Sequence, residues 1–340
     1  MSITEQRTRR GFLATTGAAA AVGLAGCASL TGSGDGGGGD SITIFHAGSL
    51  GAPWEEAEAK FEDEYDIQVD REPAGSVDST RKVTEEPHKA ADVLGTSDFR
   101  LIRNMVVPDY GKWYGIFATN AMTIAYTSDS KYAEEFGPDT WYDVLARDDV
   151  SVAHSDPAAD PNGYRSVMTM KLGAIELDGE KLYDQSQAQT LIDNAKVGAS
   201  AESSLIQQLQ SGKLDYAWEY QSAGASHDVQ TVDLQPEVDL SKATQKYADH
   251  YANATVEAGG NEYTGAPIAY GITVPNTGEN QDGGAKWIEY MATDPGKQVM
   301  KDNGFQPVSP LVVPKSHEEA VPDNVMTRAT AKESLGPLDL

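Results

Sequence analysis

The chain is poor in cysteine: Cys27 is the only one in 340 residues. No intramolecular disulfide can form, and no thiolate zinc site can be assembled. Positive charge is also scarce, with 26 Lys and Arg against 52 Asp and Glu, for a net charge of −26. That balance argues against nucleic-acid binding through phosphate neutralisation. The six histidines, His46, His88, His154, His227, His250 and His317, lack the spacing of a metal-ligand set. No P-loop or dinucleotide fingerprint occurs. Gly48-Ser49-Leu50-Gly51 lacks the first glycine of a nucleophile elbow, so serine-hydrolase chemistry is poorly supported.

What the N-terminus does contain is an export signature. Thr8-Arg9-Arg10-Gly11-Phe12-Leu13 is followed by an Ala/Gly-rich run and then Leu24-Ala25-Gly26-Cys27. A basic start, a short apolar run and small residues before a cut site make a secretory signal. The paired arginines point to the twin-arginine route, and Leu-Ala-Gly-Cys resembles a lipobox with Cys27 as the lipidated residue. The run from Gly11 to Gly26 is too short and glycine-rich for a bilayer span of roughly 20 residues. Residues 28 to 40, ending Gly36-Gly37-Gly38-Gly39-Asp40, read as a flexible tether. The expected location is the extracytoplasmic face of the membrane, anchored through Cys27. Strong acidity in a chain with apolar periodic segments and five tryptophans fits a protein that stays hydrated in concentrated salt.

From Ser41 onward, strand-like and helix-like segments alternate, which predicts α/β layering. Strands are expected at Ser41 to Phe45, Ile67 to Arg71, Ala91 to Gly95, Val150 to His154 and Leu214 to Glu219. Helices are expected at Ala52 to Tyr65, from Val77, at Thr140 to Leu145 with Thr140 as cap, and after Gly163. Further helices are expected at Gln187 to Ala195, Glu202 to Ser211, Ala285 to Ala292 and Gly296 to Asn303. Gly115 to Thr127 reads as one strand crossing between lobes, and Pro267 to Pro275 as the strand crossing back. The expected organisation is therefore residues 1–26 as signal and 27–40 as tether. Lobe 1 takes residues 41–121 plus 272–340, and lobe 2 takes 122–271.

Three turns share one design, with small or hydroxyl residues where a helix begins: Gly48-Ser49, Gly75-Ser76 and Asp160-Pro161-Asn162-Gly163. A helix N-terminus offers unpaired N–H groups and the positive end of a dipole, which suits an anion. Ser and Asp also cap helices for structural reasons, so one such turn decides nothing. Two acids stand at strand ends, Asp160 and Glu219, the positions that rim a cleft in α/β folds. A cap or an ion pair, for instance Asp160 with Arg165, is the structural alternative. Asn253-Ala254-Thr255 matches a glycan acceptor triplet.

These segments resemble one family, the archaeal molybdate/tungstate-binding proteins of the WtpA/ModA type, receptors of an ABC importer. The resemblance covers about Ile42 to Val313. It rests on Phe45-His46-Ala47-Gly48-Ser49-Leu50, on Gly75-Ser76-Val77 with Arg81-Lys82-Val83-Thr84-Glu85, and on Ala118-Thr119-Asn120-Ala121-Met122. Its most specific strings are Asp160-Pro161-Asn162-Gly163-Tyr164-Arg165-Ser166 and Glu219-Tyr220-Gln221-Ser222. It implies an α/β, two-lobed periplasmic-binding-protein-like fold of type II with the ligand cleft between lobes. It implies that Gly48, Ser49 and Ser76 donate to the oxyanion from lobe 1, and that Asp160, Pro161, Asn162 and Glu219 serve from lobe 2. The carboxylates of Asp160 and Glu219 would complete an octahedral shell around the molybdenum or tungsten, a hard centre that accepts further oxygen ligands. Sulfur does not expand its shell this way, so the pair would select against sulfate. Asn162 stands where relatives often have cysteine. Gly95-Thr96-Ser97-Asp98-Phe99 replaces the usual Ala-Ser-Ala-Asp-Tyr, which puts Thr96 as a hydroxyl ligand in doubt. The implied protein is a monomeric receptor without a cofactor, not an enzyme, whose partners are the anion, a membrane permease and a lipid anchor. Two alternatives remain: the same fold with sulfate or phosphate as cargo, or an exported hydrolase using Asp160 and Glu219 as an acid/base pair.

Overall fold

The computed structural model describes residues 40–340. Arg9, Arg10, Cys27 and the tether up to Gly39 lie outside the described residues.

The strands in chain order are β1 (Asp40–Ala47), β2 (Ile67–Ala74), β3 (Val93–Thr96), β4 (Gly115–Thr119), β5 (Met122–Tyr126), β6 (Val152–Ser155) and β7 (Ala195–Ala199). They continue with β8 (Tyr216–Tyr220), β9 (Gln230–Thr231), β10 (Thr255–Ala258), β11 (Asn261–Thr264), β12 (Ala269–Thr273), β13 (Gln306–Pro314) and β14 (Ala329–Lys332). Two larger sheets organise them. One has seven strands in the order β14-β13-β4-β12-β3-β1-β2, and the other five in the order β7-β6-β8-β5-β9. In the first, β1 runs parallel to both β2 and β3 while β12 is antiparallel to β3 and β4. In the second, β6 runs parallel to β7 and β8, and β5 is antiparallel to β8.

The crossing segment differs from expectation. Gly115 to Thr127 is two strands, not one: β4 belongs to the seven-stranded sheet and β5 to the five-stranded sheet. The break falls at Asn120, whose carboxamide oxygen accepts from the Ala121 N–H and whose amide donates to Ser222 Oγ at 2.9 Å. The returning strand β12 sits in the seven-stranded sheet and begins at Ala269, inside the stretch assigned above to lobe 2. Thr140 precedes the Trp141–Leu145 helix but does not cap it; its hydroxyl donates to Glu135 O at 2.6 Å.

Local chemistry explains the elements that carry the site. The Gly51–Tyr65 helix buries Pro53, Trp54, Ala57 and Phe61, one face at helical spacing. Asp66 ends it in the left-handed region at φ 55°, and its N–H donates to Glu62 O. Trp54 packs edge-on against Trp287 at 5.7 Å between ring centroids. Its indole also lies so close to β3 that a Cβ on Gly95 would come within 2.2 Å of the ring, so only glycine fits there. The five-stranded half has its own aromatic centre, with Trp141 set edge-on against Trp218 at 5.7 Å and against Tyr183 at 5.9 Å. Both clusters are fully or almost fully buried. They hold the two sheets as rigid platforms whose loops meet.

Candidate functional site

Parallel pairing decides where the first three turns lie. β1 and β2 pair in register up to Ala47 opposite Ala74, and β3 pairs on the other side of β1, with His46 opposite Gly95. The chain therefore leaves three neighbouring strands at one edge, presenting Gly48-Ser49, Gly75-Ser76 and Ser97 side by side. The carboxyl ends of parallel strands are the usual place for a ligand in an α/β fold. Ser76 begins the Ser76–Thr84 helix and is wholly buried. Its hydroxyl lies 3.1 Å from Ser97 Oγ and accepts the Ser97 N–H at 3.0 Å.

The five-stranded half contributes the acids in the same way. After β6 the chain turns into the Pro161–Leu172 helix, with Asp160 at its N-cap and Pro161 in its first turn. After β7, Glu202 stands at the N-cap of the Ser203–Gln210 helix. Glu219 sits within β8 itself. All three carboxyl groups are buried, as is Asn162. Asp160 does not use its side chain to cap its helix, and Arg165 is not its partner. Asp160 Oδ2 instead accepts the Glu202 N–H at 3.1 Å. Arg165 turns the other way, donating to Ser97 O at 2.8 Å and to Tyr220 OH at 2.9 Å, with Asp98 Oδ2 at 3.4 Å. Tyr164 OH also donates to Asp98 Oδ2, at 2.8 Å. Burial pushes the Asp98 carboxyl up, but Arg100 and Arg165 together outweigh it and hold the group well below the usual carboxylate range.

The two halves touch directly at this edge. The first free amides of the Ser76–Thr84 helix, Val77 and Asp78, both donate to Ala159 O, at 3.0 and 3.2 Å. A Cβ on Gly75 would come within 2.4 Å of that same oxygen, so glycine permits the approach. Ser49 N–H donates to Glu202 Oε1, and Ser49 Oγ lies 3.0 Å from Tyr270 OH.

Four buried polar atoms here have no hydrogen-bond partner among the described residues: Asp160 Oδ1, Asn162 Nδ2, Glu202 Oε2 and Glu219 Oε1. Such atoms are costly unless something satisfies them. Burial, and then the neighbouring Asp160, push Glu219 well above its ordinary value; Glu202 is raised by the same causes and by Glu219. Gly48, Ser49, Glu202, Ser203, Glu219 and His227 border a cavity of only about 10 Å³. A larger groove, about 360 Å³, runs past Arg100, Arg103 and Tyr263 and holds none of the expected site residues. The tight cavity is the better candidate, because Glu202 and Glu219, each with an unpartnered oxygen, border it together with the Gly48-Ser49 turn.

The structure thus brings Gly48, Ser49, Ser76, Asp160, Pro161, Asn162 and Glu219 to the edge where the halves meet. Several of the expected donors already have protein partners, notably the Ser49 amide and the Ser76 hydroxyl. Thr96 points elsewhere, its hydroxyl donating to Asp98 O at 2.9 Å. Sequence reasoning missed Ser97 and Glu202. Ser97 stands where the family pattern has alanine, and Glu202, like Asp160, is an acid at a strand-to-helix junction, so both signals were present.

The model of the bacterial extracellular solute-binding protein family matches residues 42–306. The chain belongs to that family of solute-binding proteins. An uncharacterised solute-binding protein of Methanoculleus marisnigri is 35% identical over 321 residues, covering 86% of this chain and 87% of that one. The molybdate/tungstate-binding protein WtpA of Pyrococcus abyssi is 35% identical over 298 residues, covering 80% and 86%. Among solved structures, the sulfate-binding protein SubI from Mycobacterium tuberculosis H37Rv aligns with a TM-score of 0.56 at 15% identity, over 84% of this chain and 93% of that one. The fold is the two-domain, mixed α/β periplasmic-binding-protein type II, and this solute-binding protein serves an ABC importer. Its family is extracellular and its members bind rather than transform. No helix among the described residues is long and apolar enough to cross a membrane.

Proposed function

We propose that this solute-binding protein captures molybdate or tungstate and delivers it to its permease. The observation that carries this reading is the pair Asp160 and Glu219. Both are buried beside hydroxyl and amide donors, and each keeps one carboxylate oxygen without a partner. Carboxylates repel a simple dianion. They become ligands when the anion's central atom is a hard metal able to take two more oxygens. Gly48, Ser49 and Ser76 serve as donors from one half, with Pro161 and Asn162 at the helix N-terminus of the other. The relatives named for molybdate and tungstate support the assignment, and no cofactor is required.

Around this site we place residues 41–121 and 272–340 as lobe 1 and 122–271 as lobe 2, except that Ala269 to Gly271 go with lobe 1 because β12 lies wholly in the seven-stranded sheet. Arg9-Arg10 directs export and Cys27 carries the lipid, so the receptor works as a monomer on the outer face of the membrane. The tether of residues 27–40 raises its effective concentration at the permease. The excess of acidic residues fits a haloarchaeal source.

Calorimetric titration in concentrated salt tests the cargo, with tungstate and molybdate expected to bind tightly and sulfate failing to compete. X-ray absorption of the loaded protein should give six oxygens around the metal. Four oxygens, or equal sulfate binding, would turn the assignment to a simple oxyanion receptor of the same fold.

A further inference from the structure

Asp160 and Glu219 are two of three buried carboxyl groups at this edge, and Glu202 is the third. Its placement is odd for a helix N-cap. The side chain makes no bond to the amides of its own helix. It reaches across to the other half, where the Ser49 N–H donates to Oε1. The same oxygen would lie 3.1 Å from a Cβ on Gly48, so the carboxyl head rests directly on the Gly48-Ser49 turn. That turn opens the Gly51–Tyr65 helix, and its amide is a donor of the kind an oxyanion seeks. An oxo group and a carboxyl oxygen make the same demand on one N–H, and both cannot be met. With Glu202 in place, the remaining space of about 10 Å³ has room for about one water and not for a tetrahedral oxyanion.

We propose that the Glu202 carboxyl group is a built-in occupant of the anion seat, bridging the two halves through Ser49 until an incoming oxyanion displaces it. The inference rests on the oxyanion reading above. Polar groups surround the occupant. Asp160 accepts its N–H, Glu219 shares its field, and Tyr270 and Tyr220 face it from the neighbouring strands, with His227 on the cavity wall. Through Oε1 the occupant satisfies the Ser49 amide while no cargo is bound. Such an occupant taxes every anion by the same factor, because each must displace it before binding. The ratio of tungstate to sulfate affinity is left to Asp160 and Glu219, while the threshold concentration for any anion rises.

The test compares wild type with Glu202→Ala and Glu202→Gln, each confirmed folded by thermal melting. If the self-occupied form holds about 90% of the anion-stripped protein, Glu202→Ala should bind tungstate about tenfold tighter. Sulfate affinity should rise by a similar factor. Glu202→Gln keeps an acceptor for the Ser49 amide and should gain less than alanine, and it serves alone if the alanine variant is unstable. Small-angle scattering of stripped protein gives a readout independent of cargo: Glu202→Ala should have the larger radius of gyration. Unchanged or weaker affinity in Glu202→Ala overturns displacement, and a loss confined to tungstate would make Glu202 a metal ligand instead. If neither protein takes up tungstate or molybdate, the cargo assignment fails by itself. The scattering comparison then decides, with equal compactness overturning the occupant.

Discussion

Replacing Glu219 by glutamine separates two views of the buried acids by the sign of the effect. Glu219 is 2% exposed, one of its oxygens lacks a partner, and Asp160 lies within its field. If the anion were held by hydrogen bonds alone, the ionised Glu219 would oppose it. At about 4 Å and an effective dielectric near 20, one pair of unit charges costs about 4 kcal/mol, and a dianion about twice that. Glutamine would then tighten binding of every dianion, the more so at higher pH where wild-type Glu219 ionises. If Glu219 ligates the metal centre, glutamine replaces one of six oxygen ligands, an anionic carboxylate, by a weaker neutral amide. The loss should be at least the ~10–100-fold that follows removal of a group merely supporting a metal ligand, or about 1.4–2.7 kcal/mol. Salt does not blur the comparison, because a buried charge is screened little. The assay is paired calorimetry with tungstate and sulfate on wild type and Glu219→Gln. Ligation predicts weaker tungstate and stronger sulfate binding in the same variant. Tungstate tightening in step with sulfate would refute the octahedral argument.

Three further outcomes follow from the geometry. Gly75→Ala places a Cβ 2.4 Å from Ala159 O and 2.9 Å from Ser200 O, backbone atoms of the other half that cannot swing aside. Overpacking of about 1–3 kcal/mol should weaken anion binding by about five- to 150-fold and enlarge the loaded particle in small-angle scattering, with little change if the halves do not close here. Asp98→Ala strands Arg165, whose side chain is 2% exposed, and should destabilise the protein by about 3–5 kcal/mol in urea titration; a shift below about 1 kcal/mol would mean that Ser97 O and Tyr220 suffice. Glu219 is raised above its unfolded value of 4.5 by burial first and Asp160 second. Its stabilising contribution is therefore complete below about pH 4.5 and is lost as pH climbs through the raised folded value. The melting temperature of Glu219→Gln should gain on wild type as pH increases from about 5 to 8, and a constant gap would contradict the assignment.

The alternation of strands and helices was legible because apolar periodicity changes sharply at each junction, as at Phe45 to Leu50 and Ala74 to Val77. The switch of sheets at Asn120 was not. β4 and β5 are both buried and both read as apolar strand, so only tertiary pairing tells one strand from two. The structural alternative, an ion pair of Asp160 with Arg165, fails for a related reason. They stand five positions apart in sequence, but Arg165 faces Asp98, 67 positions away, across the contact between halves. Local spacing ranks neighbours by chain distance, whereas a buried guanidinium goes to whichever carboxylate can be desolvated with it.

Glu202 carries that lesson into the site itself. In sequence it is one acid among 52, followed by Ser203 and Ser204, and it looks like the start of an ordinary amphipathic helix. Its backbone does sit at the helix start, yet its side chain bridges to Ser49, 153 positions earlier. The difference lies in burial. An exposed N-cap acid would turn to its own amides, which cost little to reach. A carboxyl group sealed between two halves must find its donor within the seal, and Glu202 finds it in the Ser49 amide, which the anion also needs. The three acids at this edge are therefore not equivalent. Each keeps one oxygen without a partner, but Asp160 bonds within its own half, to the Glu202 N–H, whereas Glu202 reaches across to the Ser49 amide of the other half and holds the place. Any account of selectivity that treats them as a single negative patch would predict that neutralising each has the same effect. The geometry predicts opposite signs for tungstate: weaker binding when Glu219 is lost, tighter when Glu202 is.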